Sequence, residues 1–301
     1  MIWVHAGFVK TATSTLQRAV FSRHDEINYL GLPAPNGDLA QVIHALAKAD
    51  SIEFDLDRAR RTVAPHLRPA APRRTTLVSY ENFVLYESTD KGVVAQRLRE
   101  IFPDCQILFT IRRQQDIIRS WYLQKLAKYL AGLNYLSFDE WFAIKMAEPH
   151  KSILSDLDFH NTISYYESLF GPERVKIFCF EQLVDDRAAY ARAMAQCLDV
   201  DGMQFADLLS CANYNPTKTQ RRIDLGRIAT DYLPRAVVRQ GAGLVSNRIK
   251  ARYDRFLDRG PKCRVTLSPA VEDWIAAHCR QGNRQLDARC GGQLARYGYV
   301  I

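Results

Sequence analysis

Hydrophobic residues in this chain fall into short apolar runs, separated by longer segments in which apolar positions recur at helical spacing. Four of the runs are short, rich in β-branched and aromatic residues and followed by polar or turn-forming residues, so they predict buried strands. These runs cover residues 2–6, 75–79, 105–111 and 174–180. A further short extended piece is predicted at residues 29–33, where it ends in a turn.

The segments between the strands place apolar residues three or four positions apart, the spacing that buries one face of a helix. The first helix follows the first strand, with Leu16, Ala19 and Val20 on its apolar face. Other helices are predicted at residues 38–49, 54–63, 92–101, 117–131, 138–146, 157–170, 187–198, 221–232, 245–257 and 268–279. Strands that alternate with helices predict an α/β fold, with a central parallel sheet flanked by helices on both faces.

The pattern is strongest in the first two thirds of the chain. We expect a single domain over residues 1–301, with the core sheet in roughly residues 1–200 and a helical, basic C-terminal elaboration in roughly residues 201–301. No internal repeat and no low-complexity tract interrupts it.

Polar residues stand just after three of the predicted strands. The segment from Gly7 to Lys10 follows the first strand, Glu81 follows the second and Arg112 follows the third. Ligands of parallel sheets bind outside the carboxyl ends of the strands. We therefore expect these residues to converge on one site at that edge of the sheet.

Composition sets the broad class of the protein. Of the 301 residues, 47% are hydrophobic and 25% are charged, values typical of a soluble globular protein. The formal net charge of +8 suits anionic ligands. No run of five basic residues and no zinc-finger spacing occurs, so we do not expect nucleic acid as a partner.

The cysteines and the start of the chain bear on the compartment. The seven cysteines are an odd number without CxxC pairs, and several fall within apolar elements, which is typical of reduced thiols. No signal peptide precedes the first strand, and no apolar run reaches about 18 residues. We expect a cytoplasmic protein without a transmembrane segment, and no His, Cys and Asp spacing predicts a metal site.

The residues after the first strand have the chemistry of a phosphate-binding loop. Gly7 is followed by Lys10 and then by four hydroxyl residues: Thr11, Thr13, Ser14 and Thr15. Unpaired amides at the start of a helix point at an anion, and a lysine adds a mobile positive charge. The nucleoside-triphosphatase loop needs a glycine beside its lysine and a longer span, so it does not fit here. The alternative is an ordinary strand-to-helix turn with a solvated lysine.

This loop resembles the 5′-phosphosulfate-binding loop of sulfotransferases that use PAPS (3′-phosphoadenosine 5′-phosphosulfate), in their bacterial, carbohydrate-sulfotransferase-like form. The matching residues are His5, Gly7, Lys10, Thr11, Thr13, Ser14, Leu16 and Gln17. The resemblance implies a P-loop-like sulfotransferase fold in which Gly7, Lys10 and residues 11–15 surround the 5′-phosphate. Ala12 stands where the family usually has glycine, and because alanine favours negative φ, we expect a negative φ there.

A second motif begins at the end of the third predicted strand. An arginine fork and a hydroxyl held on rigid elements can bind a phosphate, and Arg112 is followed eight positions later by Ser120. The spacing resembles the 3′-phosphate motif of the same sulfotransferases, which Asp116 and Tyr122 also match, while Gln114 replaces the usual proline. The resemblance implies that Arg112 and Ser120 hold the 3′-phosphate. A surface ion pair and a helical serine bonded to its own backbone are the alternative.

The candidate general base is Glu81, because an acceptor hydroxyl must lose a proton and a positioned carboxylate can take it. Glu81 resembles a glutamate that several carbohydrate sulfotransferases carry after their second sheet strand. His44 is the competing candidate, and either residue could instead be structural. His5 either supports the loop or contacts the sulfuryl group, and Glu181 matches a family segment that we interpret as structural.

Basic residues late in the chain offer a further phosphate contact. Residues 213–222 form a polar, basic loop that runs into a helix, and in related enzymes a basic loop closes over the 3′-phosphate. Lys218, Arg221 and Arg222 could do this or could form a solvated face.

Together these features predict a PAPS-dependent sulfotransferase that moves a sulfuryl group to a hydroxyl of a carbohydrate or another small molecule and releases PAP. No metal is implied. A P-loop kinase or nucleotide hydrolase is one alternative, and a non-catalytic protein that binds PAP or another nucleotide is another. Five aromatic residues could line the acceptor site, although they are equally suited to the core: Trp121, Tyr122, Tyr129, Tyr135 and Trp141.

Overall fold

A computed structural model describes residues 1–31, 37–68, 71–131, 135–212, 219–232, 256–257 and 259–301. The chain forms two compact units. The first unit contains residues 1–114, 148–214 and 273–301, and the second contains residues 115–147 and 215–272. The sheet and the polar strand ends predicted from the sequence all belong to the first unit.

Five parallel strands form the sheet of the first unit. They are β1 (Ile2–His5), β2 (Ile27–Tyr29), β3 (Thr75–Ser79), β4 (Gln106–Ile111) and β5 (Val175–Cys179), in the order β2-β3-β1-β4-β5. β1 is central, with His5 in register with Ser79 of β3 on one side and with Leu108 of β4 on the other. The carboxyl ends of β3, β1 and β4 are therefore adjacent along one edge of the sheet.

Helices separate these strands along the described parts of the chain and also follow the last strand. In chain order they are α1 (Thr13–Thr15), α2 (Gly37–Lys48), α3 (Leu56–Val63), α4 (Lys91–Ile101), α5 (Gln114–Ala131), α6 (Phe138–Ala147), α7 (Phe159–Phe170), α8 (Phe180–Asp185), α9 (Arg187–Leu198), α10 (Gly202–Ser210), α11 (Gln220–Tyr232), α12 (Pro269–Arg289) and α13 (Gln293–Arg296). Aspartates cap several of them; Asp90, for example, accepts from the amides of Gly92 and Val93 at the start of α4.

The predicted fold class is confirmed. All four predicted strands are present, each within a residue or so of its expected bounds. The fifth strand, β2, was not predicted as part of the sheet, since its three residues are too few to show a period. β2 lies at the sheet edge beside β3, and Tyr29 is its last residue.

The helical predictions hold with three differences. α1 continues into a π-helical segment, Leu16–Phe21, which still buries Leu16, Ala19 and Val20 as expected. α12 is ten residues longer than predicted at its C-terminal end, and three helices, α8, α10 and α13, were not predicted. Most of the helix expected at residues 245–257 lies outside the described residues.

Apolar packing on both faces of the sheet holds the strand ends in place. On one face Trp3 and Leu108 pack with the π-helical segment and with α9 and α10, in a cluster that includes Tyr190 and Met194. On the other face Phe8 packs against Phe109 and Phe159, with ring centroids 5.8 and 4.7 Å apart. Among the described helices, none has the length and apolar character needed to cross a membrane.

Candidate active site

The loop after β1 turns sharply at two residues with left-handed backbone conformation. Lys10 has φ 63° and Ala12 has φ 66°. The expectation of a negative φ at Ala12 is therefore wrong. Ala12 keeps the backbone conformation that glycine would supply, and its Cβ makes that conformation unfavourable by about 1–2 kcal/mol. The loop geometry thus survives the loss of the usual glycine.

Gly7 is required because the chain passes close to its neighbours at that point. A Cβ added there would lie 2.4 Å from Cγ2 of Thr13 and 2.6 Å from Oγ1 of Thr110. It would also lie 2.9 Å from Nε2 of His5. Any side chain at Gly7 would push the loop away from the sheet.

His5 supports the loop from within. The ring is fully buried, Nδ1 lies 2.7 Å from Oγ of Ser79, and Nε2 lies 3.3 Å from Oγ1 of Thr110. Burial lowers the pKa of His5 to about 3, so the imidazole is neutral at physiological pH. Of the two roles predicted for His5, this placement favours loop support. Gln17 joins the same network by donating to Oγ of Ser79 at 3.0 Å.

The hydroxyl residues of the loop divide into inward and outward groups. Thr11 is fully buried, and its hydroxyl donates to the carbonyl of Phe8 at 2.6 Å and lies 2.8 Å from Oγ1 of Thr110. Because the hydroxyl of Thr11 is already bonded within the protein, only its backbone is left for the predicted contact with a phosphate. Thr13 is buried against Gly7, whereas Ser14 and Thr15 are half-buried.

Lys10 and Arg112 lie together after neighbouring strands. Arg112 follows β4, and its Nη1 donates to the carbonyl oxygen of Lys10 at 3.0 Å. The guanidinium also stacks over the ring of Phe180, 4.5 Å from its centroid. Burial lowers the pKa of Lys10. The positive charge of Arg112 lowers the same pKa further, while the negative charge of Glu81 raises it. Two basic side chains are thus held side by side at the carboxyl end of the sheet, in a form suited to an anion.

Glu81 is the acidic member of the same group. It follows β3 and begins a short 3₁₀ turn, Glu81–Phe83. Burial raises the pKa of Glu81 to about 7, and the positive charge of Lys10 works against this rise. The carboxylates of Glu87 and Asp156 raise the pKa further. A carboxyl group with a pKa near neutrality is suited to accept or donate a proton at physiological pH.

Asp156 is a neighbour of Glu81 that the sequence analysis did not identify. It is buried, forms an ion pair of 2.5 Å with Lys91, and accepts from the amide of Tyr86 at 3.0 Å. Burial raises the pKa of Asp156 to about 6, and Lys91 opposes this rise. No local pattern marks Asp156, because its importance comes from contacts with residues about 70 positions earlier in the chain.

His44 lies near the same edge but on the surface. It is an exposed residue of α2, and its ring centroid is 6.3 Å from that of Tyr80, the residue before Glu81. Tyr80 in turn accepts from Nδ2 of Asn82 at 2.7 Å. His44 is thus placed near Tyr80, whereas the carboxyl of Glu81 is the group coupled to Lys10.

Three of the predicted cofactor contacts lie elsewhere in the chain. Ser120 and Arg221 belong to the second unit, where the Arg221 guanidinium lies 4.6 Å from the centroid of the Phe256 ring and donates to the Phe256 carbonyl at 3.3 Å. Lys218 lies outside the described residues. The roles of these three residues stay predictions.

Gln114, which replaces the proline of the family motif, is buried and bonded on both sides of its amide. Its Nε2 donates to Oδ1 of Asn283 at 2.8 Å and to the carbonyl of Leu157 at 3.3 Å. Its Oε1 accepts from Nδ2 of Asn283 at 3.3 Å. Gln114 is thus held by a reciprocal amide pair with Asn283 at the position where the family motif has proline.

Two hydroxyl residues that support the loop, Ser79 and Thr110, were not predicted from the sequence. Each is a polar residue at or near the carboxyl end of a buried strand, and both are less than 1% exposed. A buried hydroxyl needs a partner, so a hydroxyl residue at the end of a buried strand was the signal that the sequence offered.

Within the described residues, no group of three His, Cys, Asp or Glu side chains is arranged to hold a metal ion.

The structure is similar to the crystal structure of a sulfotransferase from Alicyclobacillus acidocaldarius. The two share 15% sequence identity, with 98% of this chain and 97% of that chain covered and a TM-score of 0.57. The chain has a sulfotransferase fold.

Two other sulfotransferase structures show weaker likeness. One is the sulfotransferase domain from the curacin biosynthetic pathway, at 14% identity and a TM-score of 0.40 over 67% of this chain and 74% of that chain. The other is mouse sulfotransferase SULT7A1 complexed with PAP, at 14% identity and a TM-score of 0.38 over 84% of this chain and 82% of that chain. No family model and no curated protein sequence matches the chain.

Proposed function

We propose that this protein is a sulfotransferase that moves the sulfuryl group of PAPS to a hydroxyl of a carbohydrate or another small molecule. The observation that carries the proposal is the grouping of Lys10, Glu81 and Arg112 after three adjacent strands of the sheet. Two basic side chains can neutralise the charge of the donor and of the leaving phosphate, and a carboxyl with a raised pKa can accept the proton of an acceptor hydroxyl. They occupy the edge of the sheet where α/β proteins bind ligands.

The donor would be held by two separate phosphate contacts. Lys10, with the backbone of residues 11–15 and the half-buried hydroxyls of Ser14 and Thr15, would bind the 5′-phosphosulfate. Arg112 would bind the 3′-phosphate, together with Ser120 and with Lys218 or Arg221. The hydrogen bond between Arg112 and the Lys10 carbonyl supports this arrangement, because it ties the two contacts to one rigid group.

Glu81 would act as the general base. As the acceptor oxygen forms its bond to sulfur, the bond from sulfur to the bridging oxygen breaks, and its electron pair leaves with PAP. Glu81 would take the acceptor proton, for which its raised pKa of about 7 is suited. Lys10 would neutralise the charge that grows on the leaving phosphate, the kind of electrostatic contribution that is usually the largest in such transfers.

A transfer assay tests this function directly. Radiolabelled PAPS is incubated with sugars, phenols and aliphatic alcohols, and labelled product and PAP are measured together. We expect label transfer to at least one hydroxyl class, with the Arg112→Ala and Lys10→Ala variants as matched blanks. Transfer of phosphate from ATP with magnesium, but no use of PAPS, would replace the proposal with a kinase or hydrolase.

Nucleotide binding separates the remaining alternative. A protein that binds PAP in preference to AMP, yet transfers no label to any acceptor class and does not hydrolyse PAPS, would be a non-catalytic binding protein.

A further inference from the structure

The C-terminal segment of the chain is linked by hydrogen bonds, through intervening side chains, to the two residues that follow Arg112. The hydroxyl of Tyr299 donates to Oε2 of Glu181 at 2.9 Å, and Oε1 of the same carboxylate accepts from the backbone amide of Arg113 at 2.9 Å. Tyr299 is 4% exposed and Glu181 is 9% exposed. Glu181 thus joins the chain terminus to the backbone of Arg113 through one buried carboxylate.

A second set of hydrogen bonds links the C-terminal residues to Gln114. Gln114 and Asn283 form the reciprocal amide pair described above, and Nδ2 of Asn283 also donates to the carbonyl of Val300 at 2.9 Å. Gln114 is completely buried, and Asn283 is 2% exposed. Arg113 is therefore linked through Glu181 to Tyr299, and Gln114 is linked through Asn283 to Val300.

These links lie next to a side chain whose orientation is also fixed. The Arg112 guanidinium stacks on Phe180, the residue before Glu181, and donates to the carbonyl of Lys10. The backbone on the C-terminal side of Arg112 is held by Glu181 and Asn283, while its guanidinium is held by Phe180 and Lys10. A shift of the backbone at residues 113–114 would move the guanidinium relative to Phe180 and Lys10.

We propose that Tyr299 and Asn283 are positioning residues for Arg112, so that the C-terminal segment sets the geometry of the 3′-phosphate contact. The inference rests on the proposed function, because Arg112 is the residue proposed to bind that phosphate. A group held in place before binding loses less conformational freedom when the ligand arrives, and this increases affinity. The benefit is specific to ligands that carry a 3′-phosphate.

The test compares PAP with AMP, which lacks the 3′-phosphate, in the full-length protein. Tyr299→Phe removes one hydroxyl and leaves the ring, and we expect PAP affinity to fall about 3–10-fold while AMP affinity changes less than about twofold. Asn283→Leu should act in the same direction. In an Arg112→Ala background, Tyr299→Phe should no longer change the ratio of the two affinities, because the residue that it positions is absent.

Two matched variants distinguish positioning from general stability. Tyr190→Phe removes another buried tyrosine hydroxyl, one that bonds to no described residue, and should leave the affinity ratio unchanged. Glu181→Gln keeps both hydrogen bonds, since its carbonyl accepts from Arg113 and its amide donates to Tyr299. It should retain most of the preference for PAP, whereas Glu181→Leu should lose it.

Hydrogen–deuterium exchange at the Arg113 amide gives a readout that does not depend on nucleotide binding. Tyr299→Phe should speed this exchange, because Glu181 loses the partner that orients it. Lower thermal stability with an unchanged affinity ratio and unchanged Arg113 exchange would overturn the positioning role. Equal wild-type affinity for PAP and AMP would instead refute the proposed 3′-phosphate contact. The exchange rate would then decide by itself whether the C-terminal segment positions residues 112–114.

Discussion

The guanidinium of Arg112 donates a hydrogen bond to the carbonyl oxygen of Lys10 across 3.0 Å. This bond joins the loop after β1 to the end of β4, and it is formed at a residue whose backbone has a φ of 63°. The left-handed conformation of Lys10 is thus stabilised by the neighbouring strand end. Because the bond is made to the backbone of Lys10, a change at Arg112 should also disturb the loop that carries Lys10.

Arg112→Ala should remove most of the preference for PAP over AMP. A charge-assisted hydrogen bond contributes about 1.5–3 kcal/mol, which corresponds to roughly a 10–150-fold loss of PAP affinity. AMP affinity should fall less, through the lost contact with the Lys10 carbonyl. Isothermal titration calorimetry with both nucleotides measures the two effects, and equal affinity of the wild-type protein for PAP and AMP would remove the 3′-phosphate assignment.

Lys10→Ala should reduce turnover more than PAP affinity. The lysine is proposed to neutralise charge that grows on the leaving phosphate only as the sulfur–oxygen bond breaks. By analogy with the loss of one preorganised donor, turnover should fall about 10²–10³-fold. Single-turnover rates with saturating PAPS measure this, and a variant with normal turnover would return Lys10 to the role of a solvated loop residue.

Glu81→Gln should abolish the basic group while leaving PAP binding intact. Loss of a general base typically slows a reaction by about 10²–10⁴-fold, and His44→Asn, as the comparison variant, should slow it less. In the wild-type enzyme, kcat/KM should fall as the pH drops below about 7, because Glu81 becomes protonated and cannot accept a proton. A pH–rate profile that is flat in this range, or a dead His44→Asn enzyme beside an active Glu81→Gln enzyme, would reverse the assignment.

The same residue should make the protein less stable as the pH rises. The pKa of Glu81 rises from its ordinary value of 4.5 to about 7 on folding, so between these values the folded state keeps a proton that the unfolded state has released. Its unfavourable effect on stability is therefore absent below about pH 4.5, grows between pH 4.5 and 7, and is complete above about pH 7. Glu81→Gln should raise Tm relative to wild type more at about pH 8 than at about pH 5. An equal difference at both pH values would mean that the carboxyl is not buried.

Ala12→Gly should stabilise the loop. Glycine adopts a φ of 66° without steric strain, and relief of that strain outweighs the greater freedom of glycine in the unfolded chain. We expect the free energy of unfolding to rise by about 0.5–1 kcal/mol, measured by urea denaturation. Ala277→Gly is the matched control at an exposed position within α12, and it should lower stability by about 1 kcal/mol. A loss of stability in both variants would contradict the left-handed conformation at Ala12.

The sequence by itself was enough to determine the α/β class, the four strands β1, β3, β4 and β5 and the chemistry of their carboxyl ends. Periodicity along the chain reports which positions are buried, and the carboxyl-end rule for parallel sheets then places the residues that follow each strand on one edge. Lys10, Glu81 and Arg112 could be grouped in this way because each lies within a few residues of the end of its strand. Arg112 is the next residue after β4, Glu81 is two residues after β3 and Lys10 is five residues after β1. Grouping them required no knowledge of a distant contact.

Only the tertiary structure decided the properties that depend on neighbours far away in the chain. The inward hydroxyl of Thr11 and the neutral, buried imidazole of His5 depend on contacts with Ser79 of β3 and Thr110 of β4, about 75–105 residues later. The left-handed φ of Ala12 likewise appears only in the folded loop, because alanine does not favour it by itself. The bond from Gln114 to Asn283 spans 169 residues. Conformation and pKa are set by the full three-dimensional surroundings of a group, and the order of residues along the chain records only its nearest neighbours.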